Sequence, residues 1–292
     1  MLGSDHPDTL DSVDKLGVSL EKQGQYKTAE LMRRRALEGR KKVLGLDHPD
    51  TLTSLNGLGN ALLKQGQYKR AETTYWQALG GREKVLGPNH PRTLASLNNL
   101  GICLEGQGQY QKAEAMHRRA LEGQEKVLGA HHPDTLATIN SLGNILQRQR
   151  RYGEAEAMHR RALKGQEEKL GPSHPDTLAS VNSLGIALER QGQYKLAEAM
   201  LRRALEGREK VFGPDHPDTL TSANNLGVNL HRQGQYEQAE ELYRRAMEGR
   251  EKILGPKHPE TLTSIKNLAI ALKKQGQYER AEEIYRFYRR AW

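Results

Sequence analysis

GPDHPDTL, residues 213 to 220, has near copies along the whole chain, and their spacing is the key to the architecture. His-Pro stands at His6-Pro7, His48-Pro49, His90-Pro91, His132-Pro133, His174-Pro175, His216-Pro217 and His258-Pro259, always 42 residues apart. A constant period of this size is the signature of a solenoid, in which each unit is one supersecondary element stacked on the next.

After Pro49 the residues Leu52, Leu55, Leu58 and Leu62, with Gly59 among them, form one stripe at the helical period. They predict a first helix of about four turns. It stops at KQGQY (64 to 68), where Gly66 supplies the left-handed position that other residues fill only at a cost. A second helix begins near Tyr68, runs its stripe through Ala71, Tyr75, Ala78 and Leu79 to Val85-Leu86, and breaks at GPNHP (87 to 91). Two amphipathic helices cannot bury their apolar faces alone, so the hairpins must stack around a continuous seam, with about fourteen helices in seven units.

Small residues recur in register. Ala29, Ala71, Ala113, Ala155, Ala197, Ala239 and Ala281 predict close backbone approach on the second helix. Gly39, Gly81, Gly123, Gly165, Gly207 and Gly249 recur inside that helix despite a cost of about 1 kcal/mol each against Ala. They read either as close-contact points or as a slight kink.

Histidines beside carboxylates suggest metal or acid-base chemistry, but the period argues against it. Equivalent positions in adjacent hairpins lie at least about 8 to 10 Å apart, whereas a metal holds its ligands at about 2 Å. Punctuation explains more. Pro suits the first helical turn, the residue before it is kept out of the helical region, and the following Asp complements the helix dipole. Asp5, Asp47, Asn89, Ser173 and Asp215 are expected to share the capping. Neither a metal nor a cofactor is expected.

With 36% hydrophobic and 28% charged residues the composition is that of a soluble folded chain, yet Phe and Trp occur only twice each. The lone Cys103 leaves no internal disulfide framework and no multi-cysteine zinc site, and its apolar helix makes it a packing residue. A reducing, cytoplasmic setting follows from cysteine usage and from the lack of a signal segment or an apolar run of about 18 residues. No GxxxxGK, HExxH, GxSxG or CxxC pattern is present, so the chain is expected not to be an enzyme. The formal charge of +9 favours acidic partners of any kind.

LNNLGICLEGQGQYQKAEAMHRRALEGQEKVLG, residues 97 to 129, resembles the tetratricopeptide repeat (TPR) family, whose pattern of small and large residues maps onto Leu100, Gly101, Leu104, Gly108, Tyr110, Ala113 and Ala120. The likeness runs over essentially the whole chain. It implies an all-α, right-handed superhelical solenoid of seven TPR helix hairpins. The expected organisation is a single array over 1–292, with units at 6–47, 48–89, 90–131, 132–173, 174–215, 216–257 and 258–292. The long period, the NNLG segment and the tail REKVLGPDHP are similar to kinesin light chain repeats, and also to the repeat arms of NB-ARC or STAND signalling proteins. The fourth unit departs from the others: QRQRRYGEAE (147 to 156) places Arg150 where the others carry Gly, and Lys169 replaces the usual Val. Tyr288 replaces Ala in the last unit. The fourth unit is therefore the expected weak joint. The opening MLGSDHP and the stop at Trp292 read as the cut ends of a longer array.

On the first helix, positions opposite the leucine stripe have no fold duty. They carry Asn56, Asn98, Asn140, Asn182 and Asn224, then Asn60 and Asn144, with Asn99 and Asn225 alongside. In a TPR array this face lines the concave groove, so the resemblance implies an asparagine ladder able to hold an extended peptide backbone. Asparagines that bond between repeats are the competing reading. Further along, Lys22, Lys64, Arg148, Arg190, Arg232 and Lys274 repeat at one place, interrupted only at Gly106. They form either a basic stripe for acidic ligands or a solvated face, and Glu21, Glu105 and Glu189 would dilute the field. Arg118-Arg119 and Arg202-Arg203 are expected on the convex side, paired with Glu122 and Glu206.

The first expectation is a non-catalytic scaffold that binds an acidic protein or peptide, in a kinesin-light-chain-like cargo or adaptor role. The alternative is the sensing or oligomerisation arm of an NB-ARC or STAND ATPase. No membrane partner is expected. Nucleic acid is disfavoured because no aromatic-rich basic stretch offers base stacking. The array ends open a route to self-association.

Overall fold

The computed structural model describes residues 3–290, and side chains throughout except those of Phe287, Arg289 and Arg290. Met1, Leu2, Ala291 and Trp292, at the ends read as cut repeats, lie outside the described residues. The described chain is helical, without strands: α1 (Pro7–Lys22), α2 (Tyr26–Leu44), α3 (Pro49–Lys64), α4 (Tyr68–Leu86), α5 (Pro91–Gly106), α6 (Tyr110–Val127) and α7 (Pro133–Arg148), then α8 (Tyr152–Leu170), α9 (Pro175–Arg190), α10 (Tyr194–Phe212), α11 (Pro217–Arg232), α12 (Tyr236–Leu254), α13 (Pro259–Lys274) and α14 (Tyr278–Arg290). These are the alternating first and second helices that the sequence period predicts. They fall into two compact units, residues 1–149 and 150–292.

Every first helix starts the same way. Histidine is the N-cap, extended at φ near −65° in His6, His174 and His216, and proline takes the first turn. The imidazole Nδ1 accepts the backbone N–H two residues on, at 3.2 Å for Asp8, Asp50, Asp134, Asp176 and Asp218. The cap is thus the histidine itself and not the residue before it. Asp47 instead pairs with Lys84 at 2.5 Å, and Asp215 with Lys252 at 3.8 Å.

The turn inside each hairpin needs a positive φ, which Gly66 supplies at 72°. At the fourth copy Arg150 takes that place at φ 64°, the one positive-φ residue with a side chain among those described. A Cβ in this region costs about 1 to 2 kcal/mol.

The glycine inside the second helix is a contact point, and α4 continues as helix through it. A Cβ on Gly81 would lie 2.4 Å from Leu52 Cδ2, and one on Gly123 2.4 Å from Leu94 Cδ2. Leu10, Leu178 and Leu220 lie the same way against Gly39, Gly207 and Gly249. The recurrent alanines are fully buried in the same seam.

Successive hairpins are joined by a buried cation that the sequence reading did not single out. Arg40, Arg82, Arg208 and Arg250 each donate to the serine fourteen residues on, with Arg82 Nη1 2.7 Å from Ser96 Oγ and Arg208 Nη1 2.8 Å from Ser222 Oγ. The same guanidinium reaches a carbonyl of the next first turn, as Arg82 does to Arg92 O at 2.8 Å. Burial, with Arg92 nearby, pulls the Arg82 pKa down to about 10, so it stays charged at neutral pH. Gln124 and Gln166 stand where the third and fourth units would carry this arginine. There the buried Gln124 Oε1 and Thr138 Oγ1, and Gln166 Oε1 and Ser180 Oγ, have no hydrogen-bond partner.

A second ladder explains the repeated QGQ. Gln107 Nε2 donates to Glu72 Oε2 of the preceding hairpin at 2.8 Å, and Gln65, Gln191, Gln233 and Gln275 do the same to Glu30, Glu156, Glu198 and Glu240. The following glutamine then donates to the first, as Gln109 does to Gln107 at 2.9 Å.

Candidate peptide-binding face

Within each unit the backbones of neighbouring first helices approach one another, whereas neighbouring second helices among the described residues meet only through side chains such as Arg119 and Glu83. The first helices therefore sit on the inner side of each stack. The asparagines and cations picked out from the sequence lie on this inner set.

The asparagines are half-buried or buried, and several are bound to the next repeat. Asn225 Nδ2 donates to Asn182 Oδ1 at 3.1 Å, and Asn267 Nδ2 to Asn224 Oδ1 at 3.1 Å. Asn99 Nδ2 lies 3.5 Å from both Asn56 Oδ1 and Asn60 Oδ1. Asn98 Oδ1 meets His117 Nδ1 at 2.8 Å, so that imidazole carries its proton on Nδ1. Asn140 and Asn144 hold the matching places on α7, both half-buried. Each of the asparagine–asparagine bonds commits one amide and one carbonyl to joining repeats. Asn56, Asn60, Asn182 and Asn224 keep Nδ2 without an acceptor, and Asn99, Asn225 and Asn267 keep Oδ1 without a donor, among the described residues.

The cations stand at the last residue of their helices: Lys64 on α3, Arg148 on α7, Arg190 on α9, Arg232 on α11 and Lys274 on α13. All five are exposed. Two of the three carboxylates expected to dilute them, Glu105 and Glu189, do so, while Glu21 pairs with Arg33 instead. Arg148 Nε lies 3.8 Å from Glu105, Arg190 Nε lies 3.5 Å from Glu189, and Arg232 pairs with Glu189 as well. Burial pushes the Glu105 and Glu189 carboxyls up, against the opposing pull of those arginines.

The floor of this face comes from the second helices, which sequence reasoning missed. Tyr75 lies under α3, where a Cβ on Gly59 would meet its ring at 2.6 Å, and its hydroxyl donates to Asn60 Oδ1 at 2.6 Å. His117 fills the same place against Gly101, Leu201 against Gly185 and Tyr243 against Gly227. In the first repeat it is Arg33, nearly buried, which donates from Nη1 to Asp14 at 2.9 Å and from Nε to Glu21 at 3.0 Å. The signal was available: a glycine found in the first helix of every unit but the last, where Ala269 replaces it, opposes a position that changes from copy to copy in an otherwise uniform second helix. In residues 150–292 this floor opens into a recess of about 240 Å³ lined by Val228, His231, Arg232, Tyr243, Asn267 and Ile270.

The arginine pairs of the second helices are local ties, with partners other than those expected. Arg118 pairs with Glu114 at 2.7 Å and Arg202 with Glu198 at 2.9 Å, while Arg119 and Arg203 reach back one repeat to Glu83 and Glu167. Glu122 pairs with Lys126. Cys103 is a buried packing residue, and burial pushes its thiol up to about 11. No group of three His, Cys, Asp or Glu able to hold a metal occurs among the described residues, and no helix there is long and apolar enough to cross a membrane.

Among solved structures, the chain is similar to the nearly identical TPR-like repeats of a Podosopora anserina protein described as a kinesin light chain, at 28% identity and TM-score 0.60, over 71% of this chain and 98% of that one. It also matches BtubC (BKLC) from P. vanneervenii at 21% identity and TM-score 0.66, over 80% and 94% of the two chains. A STAND signal-transduction ATPase with a tetratricopeptide repeat sensor, from Pyrococcus horikoshii, matches at 13% identity and TM-score 0.71, over 97% of this chain and 41% of that one. No curated protein matches the sequence. The tetratricopeptide repeat profile matches residues 9–84, 64–126, 107–168, 134–210, 177–252 and 224–286, so from the first helix to the last this chain belongs to the tetratricopeptide repeat family.

Proposed function

We propose that the chain is a non-catalytic protein-interaction scaffold whose first-helix face binds an extended acidic peptide. The observation that carries this reading is the row of exposed cations at the ends of the first helices, of which Lys64 and Lys274 meet no carboxylate among the described residues. Beside them the asparagine ladder keeps amide N–H groups that are not used between repeats. Main-chain carbonyls and carboxylates are the acceptors that such a surface suits. A cation at a helix C-terminus also complements the dipole. The fold does not demand one, since α5 ends at Gly106 without it.

A peptide array of acidic sequences with scrambled and neutral controls tests the reading. Lys64→Glu and Lys274→Glu reverse exposed charges, one in each compact unit, and should weaken acidic peptides selectively and lower the salt dependence of binding. Equal binding of acidic and neutral peptides, or unchanged affinity in both variants, would refute it.

A further inference from the structure

The copies of the repeat serve as controls for one another. Where most units agree in character, a departure is not imposed by the fold. Two departures meet on the second-helix side of residues 150–292. Leu196 on α10 holds a position that is Thr28, Arg70, Lys112, Glu154, Gln238 or Arg280 elsewhere. Lys164 on α8 holds one that is Glu38, Glu122, Glu206 and Glu248 in four other units. Both line a recess of about 350 Å³, with Leu184 and Leu188 of α9 as its floor and Leu163 and Met200 on its walls.

In three other repeats the residue at the equivalent place is tied to the preceding second helix. Arg202 Nη2 donates to Gln238 Oε1 at 3.4 Å, and Arg70 and Arg280 reach Glu30 and Glu240 of the preceding second helix at 3.0 and 3.2 Å. Leu196 cannot make that bridge. It stays 55% exposed, although the leucines beneath it are buried. Around the rim, Arg160 is held by Glu156 at 2.6 Å and Glu167 by Arg203 at 2.5 Å. Lys164 is left as the rim charge with no counter-ion among the described residues, where four sister repeats would repel an anion.

We propose that this recess is a second docking site, separate from the first-helix face, for a peptide presenting one or two large aliphatic side chains beside a carboxylate. The aliphatic group fills the floor over Leu184 and Leu188, and the carboxylate pairs with Lys164. An apolar pocket supplies the affinity and one unpaired cation at its edge selects the flanking residue.

The test is fluorescence anisotropy on the full chain with a labelled twelve-residue probe carrying Leu-Leu between aspartates. One control peptide replaces Leu-Leu by Ser-Ser and another replaces the aspartates by lysines. Leu196→Gln and Lys164→Glu each install what a sister repeat already carries, Gln238 and Glu206, so the fold has precedent for both. Leu196→Gln should weaken the probe more than about tenfold, the equivalent of losing one buried aliphatic contact. Lys164→Glu should erase the preference for aspartate over lysine flanks. The Ser-Ser control keeps the aspartates and so reports the first-helix face: Arg190→Ala with Lys274→Ala should weaken it, while the added affinity of Leu-Leu over Ser-Ser survives in that variant and is lost in Leu196→Gln. The proposal is overturned if Ser-Ser binds as well as Leu-Leu, if Leu196→Gln binds as the parent does, or if the Arg190 and Lys274 variant loses the advantage of Leu-Leu over Ser-Ser. A doubling of mass in sedimentation that Leu196→Gln abolishes would also overturn it, by making the occupant a second copy of this chain.

Discussion

Lowering the pH should destabilise the chain through His117, and the effect can be sized from its surroundings. The ring is fully buried against Gly101, donates from Nδ1 to Asn98, and has no partner for Nε2. Burial alone pulls its pKa from 6.5 down to about 4. The folded value is depressed, so the unfolded chain binds the proton first. Stability is whole above the unfolded value and is lost as pH falls toward the folded one. Linkage over that window makes the loss about 2 kcal/mol between about pH 7 and about pH 5. The control is His117→Leu, because Leu201 already fills the same place against Gly185. Urea titrations followed by helical circular dichroism at the two pH values should show the variant losing about 2 kcal/mol less than the parent. Other titrating groups contribute equally to both proteins and cancel in the difference. Identical pH dependence in parent and variant would refute the argument.

Three further outcomes follow from the packing. Gln166→Arg should stabilise residues 150–292 by about 1 kcal/mol in thermal or urea unfolding, by giving Ser180 the donor that Ser222 receives from Arg208. Gly81→Ala should destabilise by about 1 to 3 kcal/mol although alanine is the better helix former, because its Cβ meets Leu52; Leu52→Ala in the same chain should make Gly81→Ala far less costly. Arg150→Gly should raise stability by about 1 kcal/mol by relieving the side chain at φ 64°.

The backbone was legible in the sequence because its signals are local. Pro49 and Lys64 bound α3, and Tyr68 and Leu86 bound α4, as the proline, the glycine turn and the apolar period required. The strained turn at Arg150 was legible for the same reason. Side-chain commitments were not. His216 caps through its own Nδ1, which residue type alone does not distinguish from capping by Asp215. The arginines that join hairpins have no local mark among the many charged residues of the second helix, and only the bond from Arg82 to Ser96 sets them apart. Asn182 reads as an open groove amide from its helix face, and only its bond to Asn225, one repeat away, shows half of it spent. Each of these depends on a partner far off in sequence, where period and propensity carry no information.

The ties between repeats run at fixed offsets: fourteen residues from Arg208 to Ser222, thirty-five from Glu198 to Gln233, forty-three from Asn182 to Asn225. Each repeat therefore presents to its successor the same set of donors and acceptors that its predecessor presents to it. Duplicating or excising one whole period, at any phase, would restore those pairs at the new junction, so genetic copying errors of that length would be absorbed without a new interface having to evolve. The third and fourth units are the exception, because Gln124 and Gln166 break the arginine series. A chain shortened at their expense should lose its two least satisfied joints and hold together better than one shortened elsewhere.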